Sequence, residues 1–495
     1  MSQPERDSSK LRVTTQALYG TGQFVDSVSG TVLGTFLLFY LTAVCGLSGS
    51  LTGASLFVAL MVDAFVDPFV GSISDNMQSR LGRRHVFMFA SFLPMLVGLG
   101  MLFSVPAGLG GWPLFFYVTG MALILRFGLS AYIVPYIALG AELTDDYLQR
   151  SHVIAWRSAF SVPATIIPLV LGYTVFLGGK AGLFNRAAYV PLGWTCALIL
   201  CVFGAIAAFG TLGSINRLHK AAPNIDHPLR RFVRELPEVF RNRSFIILFS
   251  TVLIFFIAQG TAGVLALHAG KFFWKLSVPH IQLLGILGAL FLMVGIPLVA
   301  VLGPHVEKKT MTLWSLAYIV VSQAGLPLLL IWGVIPMHET TIVWVLGINS
   351  LIGSTSVTFL AIAFQSMMAD AADEHELLFG ARREGLYFSG ITFSAKAASG
   401  IGSFLAGVAL DVIRFPVDIA NKGGENIHLL PSVVNDLGIV SGVLPAAMTA
   451  ICILINSLYR IDRHEHARIQ GELAARRAAP PVAVTDKIAM PEAIP

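Results

Sequence analysis

Two carboxylates four residues apart in an apolar stretch are the first residues of this chain with the types and spacing to do chemistry. Asp63 and Asp67 stand in MVDAFVDPFVGSISDNMQSRLGRR, residues 61–84. On a helix that spacing puts both on one face, with their carboxyl groups within reach of a shared ion. Apolar sequence runs in from Leu51 and resumes at Val86, so the stretch reads as a membrane span ending in a basic loop. An acid at the centre of a span costs about 3 kcal/mol, so two on one face demand a partner. The partner is either a cation or proton, which makes this an ion site, or a basic side chain from a neighbouring helix that neutralises the pair.

Other charged and polar residues fall inside apolar runs. Asp26 is the single acid of the first, LYGTGQFVDSVSGTVLGTFLLFYLT. A carboxylate there can accept two sugar hydroxyls through charge-assisted bonds, or pair with an arginine. Arg126 and Ser130 share a helix face, and a hydroxyl oxygen suits a hard cation such as sodium. Arg157 follows Trp156; neighbours point about 100° apart, so the two do not share a face. A guanidinium can bridge two hydroxyls, a carboxylate or a phosphate. Lys396 is the third basic residue within a span, either an electrostatic link between ion and solute or a counter-ion for Asp63 or Asp67.

The elements that must hold these residues are membrane helices. Of 495 residues, 55% are hydrophobic and 12% charged, against about 25% charged in a soluble domain. The mean hydropathy is +0.74. Twelve apolar segments, near 17–45, 50–75, 86–105, 113–142, 153–177, 188–213, 244–270, 281–303, 311–335, 341–368, 387–414 and 435–458, are each long enough to cross a bilayer. The first dozen residues are polar and basic and the apolar run from Leu18 is long, so no cleavable signal is expected. Of the 33 Lys and Arg, 24 fall on the side shared by the two termini, six in the opposite loops, and three within spans. Positive charge marks the cytoplasmic side, so both termini are expected in the cytoplasm of a multi-pass cell-membrane protein. The pI near 9.0 then reports topology and calls for no nucleic-acid partner. Four cysteines lie in or beside apolar runs without metal-ligand spacing and are expected as free thiols.

The polar stretch 214–243 divides the chain into a first half, 1–213, and a second, 244–462, as in folds built from paired repeats. A faint repeat aligns Pro68–Arg84 with the segment starting at Pro297 and sets Leu292 and Ile296 opposite Asp63 and Asp67. Any ion site of this kind therefore belongs to the first half. The segment 463–495 opens as a short amphipathic helix and ends Pro/Ala-rich, where disorder is expected. His464 and His466 lack ligand spacing with a third partner and read as solvated.

DAFVDPFVG with the following Asp75 and LGRR resembles the second-helix signature of the glycoside-pentoside-hexuronide:cation symporters, the melibiose-permease-like branch of the major facilitator superfamily. VPYIALGAELTDDYLQRSHVIAWR (134–157) and MMADAADEHELLFGARREGLYFSGITFSAK (367–396) match further segments, so the resemblance covers both halves. It implies an all-α membrane protein of twelve transmembrane helices in two six-helix halves, working as a functional monomer with no cofactor beyond a coupling ion, Na+ or H+. Residue by residue, it implies a cation site at Asp63 and Asp67 with Ser130 and nearby Lys396, and a sugar site at Asp26 and Arg157. Ile133 and Ile137 stand where the family has a sugar-binding aspartate and a stacking tryptophan, so the solute grip differs. Arg126 replaces a family glycine beside the cation site, and its permanent charge should compete with sodium for the carboxylates, unless it pairs with Asp26 or Glu142 instead.

Two clusters, Asp75 with Arg83 and Arg84, and Asp370 and Asp373 with Arg382 and Arg383, are expected as ion pairs of a cytoplasmic gate. The function expected is a secondary active symporter for a sugar or glycoside. The alternative is a transporter of the same fold for a lysolipid or organic anion, favoured by the apolar Ile133 and Ile137. An intramembrane enzyme is the competing class, but the spans show no HExxH and no serine–histidine or cysteine–histidine pair.

Overall fold

The computed structural model describes residues 11–77, 79–144, 146–179, 182–217, 240–303, 305–380 and 384–478. Among them the protein is all helix. Eleven helices are long and apolar enough to cross a membrane, from Gly49–Asn76 to Pro431–Ser457. The first apolar segment is the exception. It is broken into Val13–Gly20 and Gln23–Val32, continued by wide turns at Leu33–Leu37 and Tyr40–Val44. At the break, Thr21–Gly22, the backbone packs close to a neighbouring helix: a side-chain carbon on Gly22 would sit 2.4 Å from the Tyr136 ring. Counting it, the spans number twelve, and the ordinals below follow that count.

Local sequence sets the helix starts. Ser48, Asp146, Asn185 and Asn242 each lend a side-chain oxygen to a backbone N–H of the helix that follows. Such caps satisfy donors that no helix can satisfy internally, each worth about 1 kcal/mol. Pro68 and Pro135 lie inside the second span (Gly49–Asn76) and the fourth (Gly111–Glu142) without ending either helix.

The halves meet most closely where the second span lies against the eleventh (Glu384–Val412). A side-chain carbon on Gly407 would come within 2.0 Å of the Gly49 carbonyl oxygen, and one on Gly53 within 2.9 Å of Phe404. Glycines at both places let the backbones touch. Asp411 locks the contact by accepting from the backbone N–H of Gly49 at 2.8 Å and of Ser50 at 2.7 Å. A carboxylate on a helix N-terminus meets both unpaired donors and the positive end of the helix dipole. Nearby, Asp418 and Ala420 donate backbone N–H groups to Thr42 and Ala43, and the Thr42 hydroxyl meets His268 at 3.0 Å. All of these cross-half bonds lie on the face opposite the termini.

That latch predicts an accessibility change. Asp411→Ala removes two charge-assisted bonds, each worth about 1.5–3 kcal/mol. Cys45, buried at the same face, is then expected to react with a membrane-impermeant maleimide about tenfold faster or more. Unchanged alkylation would show that Asp411 does not hold this face shut.

On the terminal face, Arg463–Ala478 forms the expected helix, and its His466, about one-third exposed, also meets acids of the second half. Ile469 and Leu473 are buried with Tyr459 and Met367 in the second half's core. His466 lies 3.4 Å from Asp370 and Gln470 donates to Asp373 at 2.7 Å. Two apolar residues four apart on a short polar segment give a face too narrow to separate docking from solvation by pattern alone. All four cysteines are free thiols, three of them buried.

Candidate functional site

Within the spans, the second, fourth and eleventh helices bring five polar side chains together. Asp63 is 3% exposed. Its Oδ1 accepts from the Ser130 hydroxyl at 2.6 Å. Its Oδ2 faces Lys396 Nζ at 2.9 Å and Arg126 Nη1 at 3.7 Å. Lys396 also donates to Asp67 Oδ2. Asp67 Oδ1 is buried and, among the described residues, has no hydrogen-bond partner. Two carboxylates thus balance two basic groups, and Lys396 ties the first half to the second through both acids. The alternative directions for Arg126 are taken by other groups: Glu142 pairs with Arg83 and Arg84, and Asp26 accepts from Gln23.

A second group surrounds Arg157. Its Nε donates to Gln23 Oε1 at 3.0 Å, and Gln23 Nε2 donates to Asp26 at 2.9 Å. Gln23 therefore bridges the acid and the guanidinium, which do not pair directly in this arrangement. Arg157 also lies 6.0 Å from the centroid of the Tyr136 ring, within cation–π range. Gln23 was missed in the sequence, although its three-residue spacing from Asp26 is the signal for a shared face. Ile133 packs partly against the core, while Ile137 is 47% exposed.

A cavity of about 1180 Å³ opens between the halves. Thr31, Ser161 and Thr165 line it from the first half, and Gln323, Asn349 and Gln365 from the second, with Leu169, Ile281, Leu292 and Ile296 among the aliphatic residues between them. Ile154 and Ser161, each about one turn from Arg157, are on this wall; the Asp63 cluster is not.

The terminal-face clusters take partners beyond those expected. Arg84 bonds Asp75, Ser74 and Glu142, and Arg83 joins at Glu142 with 2.8 Å. Glu142, the last residue of the fourth span, is the hub that the local motif did not reveal. Asp370 pairs with Lys308 at 2.6 Å and with His466, and Asp373 with Gln470 and His466. Arg382 and Arg383 lie outside the described residues. Among the described residues, the pairs around Glu142 join parts of the first half, and those around Asp370 join the second half to the helix Arg463–Ala478.

The family profile described as MFS/sugar transport protein matches residues 18–463. The chain belongs to this family of membrane transporters. Two relatives resemble it over most of their length. An uncharacterized symporter of Synechocystis sp. is 24% identical, covering 94% of this chain and 98% of that one. The isoprimeverose transporter of Lactiplantibacillus pentosus is 25% identical, over 79% and 78%. Among solved structures, the nucleoside transporter NupG superposes with a TM-score of 0.61 at 12% identity, over 91% of this chain and 100% of that one. That likeness shows the major facilitator fold. Membership also sets the enzyme reading aside in favour of transport.

Proposed function

We propose that this protein is a symporter that moves a sugar or glycoside across the cell membrane by alternating access, coupled to protons rather than sodium. The observation that carries the reading is the Asp63–Asp67–Lys396–Arg126 cluster, where the buried Asp63 and half-buried Asp67 of the first half hold a base of the second. Protonating an acid loosens the hold on Lys396, which couples occupancy of the site to separation of the halves. Ser130 orients Asp63, and Arg126 supplies in fixed form the charge that a bound sodium would bring. The similarity to an isoprimeverose transporter supports a sugar solute. Arg157, held by Gln23, and Asp26 are its first-half contacts, with Ile133 and Ile137 at the edge of that site.

The halves, 1–213 and 244–462, rock about these contacts, and the protein works as a monomer with both termini in the cytoplasm. With the opposite face latched, the terminal face is the side that opens and closes; Asp75, Arg83, Arg84, Asp370 and Asp373, with Arg382 and Arg383, re-pair across the halves when that side closes. The test is uptake of labelled isoprimeverose and D-xylose into proteoliposomes under an imposed pH gradient, with and without sodium. Uptake that follows sodium and ignores pH would falsify the proton assignment. The aliphatic cavity wall favours a second reading, a lysolipid or other amphipathic solute, which predicts that lysolipid and not sugar raises the melting temperature.

Arg157→Ala is expected to weaken solute binding by more than tenfold while leaving the pH dependence of binding in place. Arg157→Lys should rescue poorly, because a point charge cannot reproduce a planar fork. Binding isotherms of the purified variants decide this, and unchanged solute affinity in Arg157→Ala would move the solute site elsewhere.

A further inference from the structure

In the second half, two glutamine amides meet and each keeps one unpaired atom. Gln323 of the ninth span (Lys308–Ile331) donates Nε2 to Oε1 of Gln259 of the seventh (Arg243–Phe273) at 3.3 Å. Gln259 Nε2 and Gln323 Oε1 are then both shielded from solvent and, among the described residues, without a hydrogen-bond partner. Turning both amides over leaves the same inventory, one donor and one acceptor. Unpaired buried polar atoms cost stability, and a water or a visiting hydroxyl would relieve that cost.

The position suits one. Gln323 is on the cavity wall, and Gln259 lies one turn before Ala262 and Gly263 of that wall. Asn349, also on the wall, has its Oδ1 occupied by the Tyr318 hydroxyl at 2.8 Å. A side-chain carbon on Gly260 would sit 3.2 Å from Ser399, one turn beyond Lys396, which sets the amide pair near the depth of the charge cluster.

The missing partner must accept from an N–H and donate to a carbonyl oxygen. A carboxylate cannot donate to Oε1, a fully ionised phosphate cannot either, and a metal cation repels the N–H, whereas an alcohol, like water, does both. We propose that Gln259 and Gln323 form the second half's solute subsite and bind one hydroxyl of a sugar or polyol. This rests on the sugar-transport reading and supplies its missing second-half contact.

The experiment uses the purified full chain with D-xylose, D-glucose, methyl β-D-xyloside and isoprimeverose, followed by the monodeoxy analogues of the tightest binder. Replacing both amides, Gln259→Met with Gln323→Met, removes the orphaned atoms together. It is expected to raise the melting temperature without sugar and to weaken the best sugar about tenfold. One monodeoxy analogue should bind wild type about tenfold more weakly than the parent sugar, yet bind the double variant as well as the parent does. If the double variant does not fold, Gln323→Asn, which shortens the reach, should erase the same analogue discrimination. Every analogue losing the same factor in wild type and variant overturns the subsite. If no sugar of the panel binds wild type, the sugar reading itself fails and the subsite with it.

Discussion

Asp63→Asn is expected to abolish gradient-driven accumulation, by a hundredfold or more, while the protein still folds and binds solute. The amide keeps a partner for Ser130 but removes the charge that both Lys396 and Arg126 face. One carboxylate, Asp67, is then left against two basic groups. Removing one member of a buried pair costs about 3–5 kcal/mol when the survivor cannot reach water. Lys396 and Arg126 are 27% and 22% exposed, so the loss should fall well below that range. Asp67→Asn removes fewer contacts and should destabilise less, yet it too should lose accumulation, because Lys396 is held by both acids. The check compares pH-driven uptake with solute exchange in proteoliposomes carrying no gradient. Exchange should survive in both variants. If either accumulates solute like wild type, the acids are structural counter-ions and coupling lies elsewhere.

Arg126→Gly should convert a sodium-indifferent protein into one that sodium stimulates. In wild type, the guanidinium sits 3.7 Å from the acid that a sodium ion would need, one helical turn from the Ser130 hydroxyl that would complete its oxygen shell. A fixed charge at that distance opposes a second cation. Deleting the side chain opens the space and restores one unit of negative charge, leaving Lys396 as the remaining competitor. Solute uptake should then rise several-fold with added sodium, whereas wild type should respond to pH alone. Strong sodium stimulation of wild type, or a variant as indifferent as its parent, would show that Arg126 does not stand in for the ion.

The sequence alone was enough for the elements that depend on local order. Apolar segments of membrane-crossing length predict the spans, because a bilayer forces backbone polar groups to be satisfied within each helix. The four-residue spacing of Asp63 and Asp67, and of Arg126 and Ser130, places each pair on one face because helical geometry is fixed. The membrane class was legible for the same reason, and the family from three separated motifs.

Contacts between distant segments were decided by tertiary structure. Lys396 reaches Asp63 and Asp67 from another half, and Glu142 gathers Arg83 and Arg84 from another span. Gln23 had the spacing to share a face with Asp26, but its bond to Arg157 depends on how the first and fifth spans meet. Asp411 carries no local signal of its role; only the close approach of Gly49 and Gly407 brings it onto a helix end. The first span looks continuous in composition, yet it is interrupted at Thr21–Gly22, where Gly22 packs against Tyr136 of another helix. A helix pattern tells which face a residue shares, and only packing tells what that face meets.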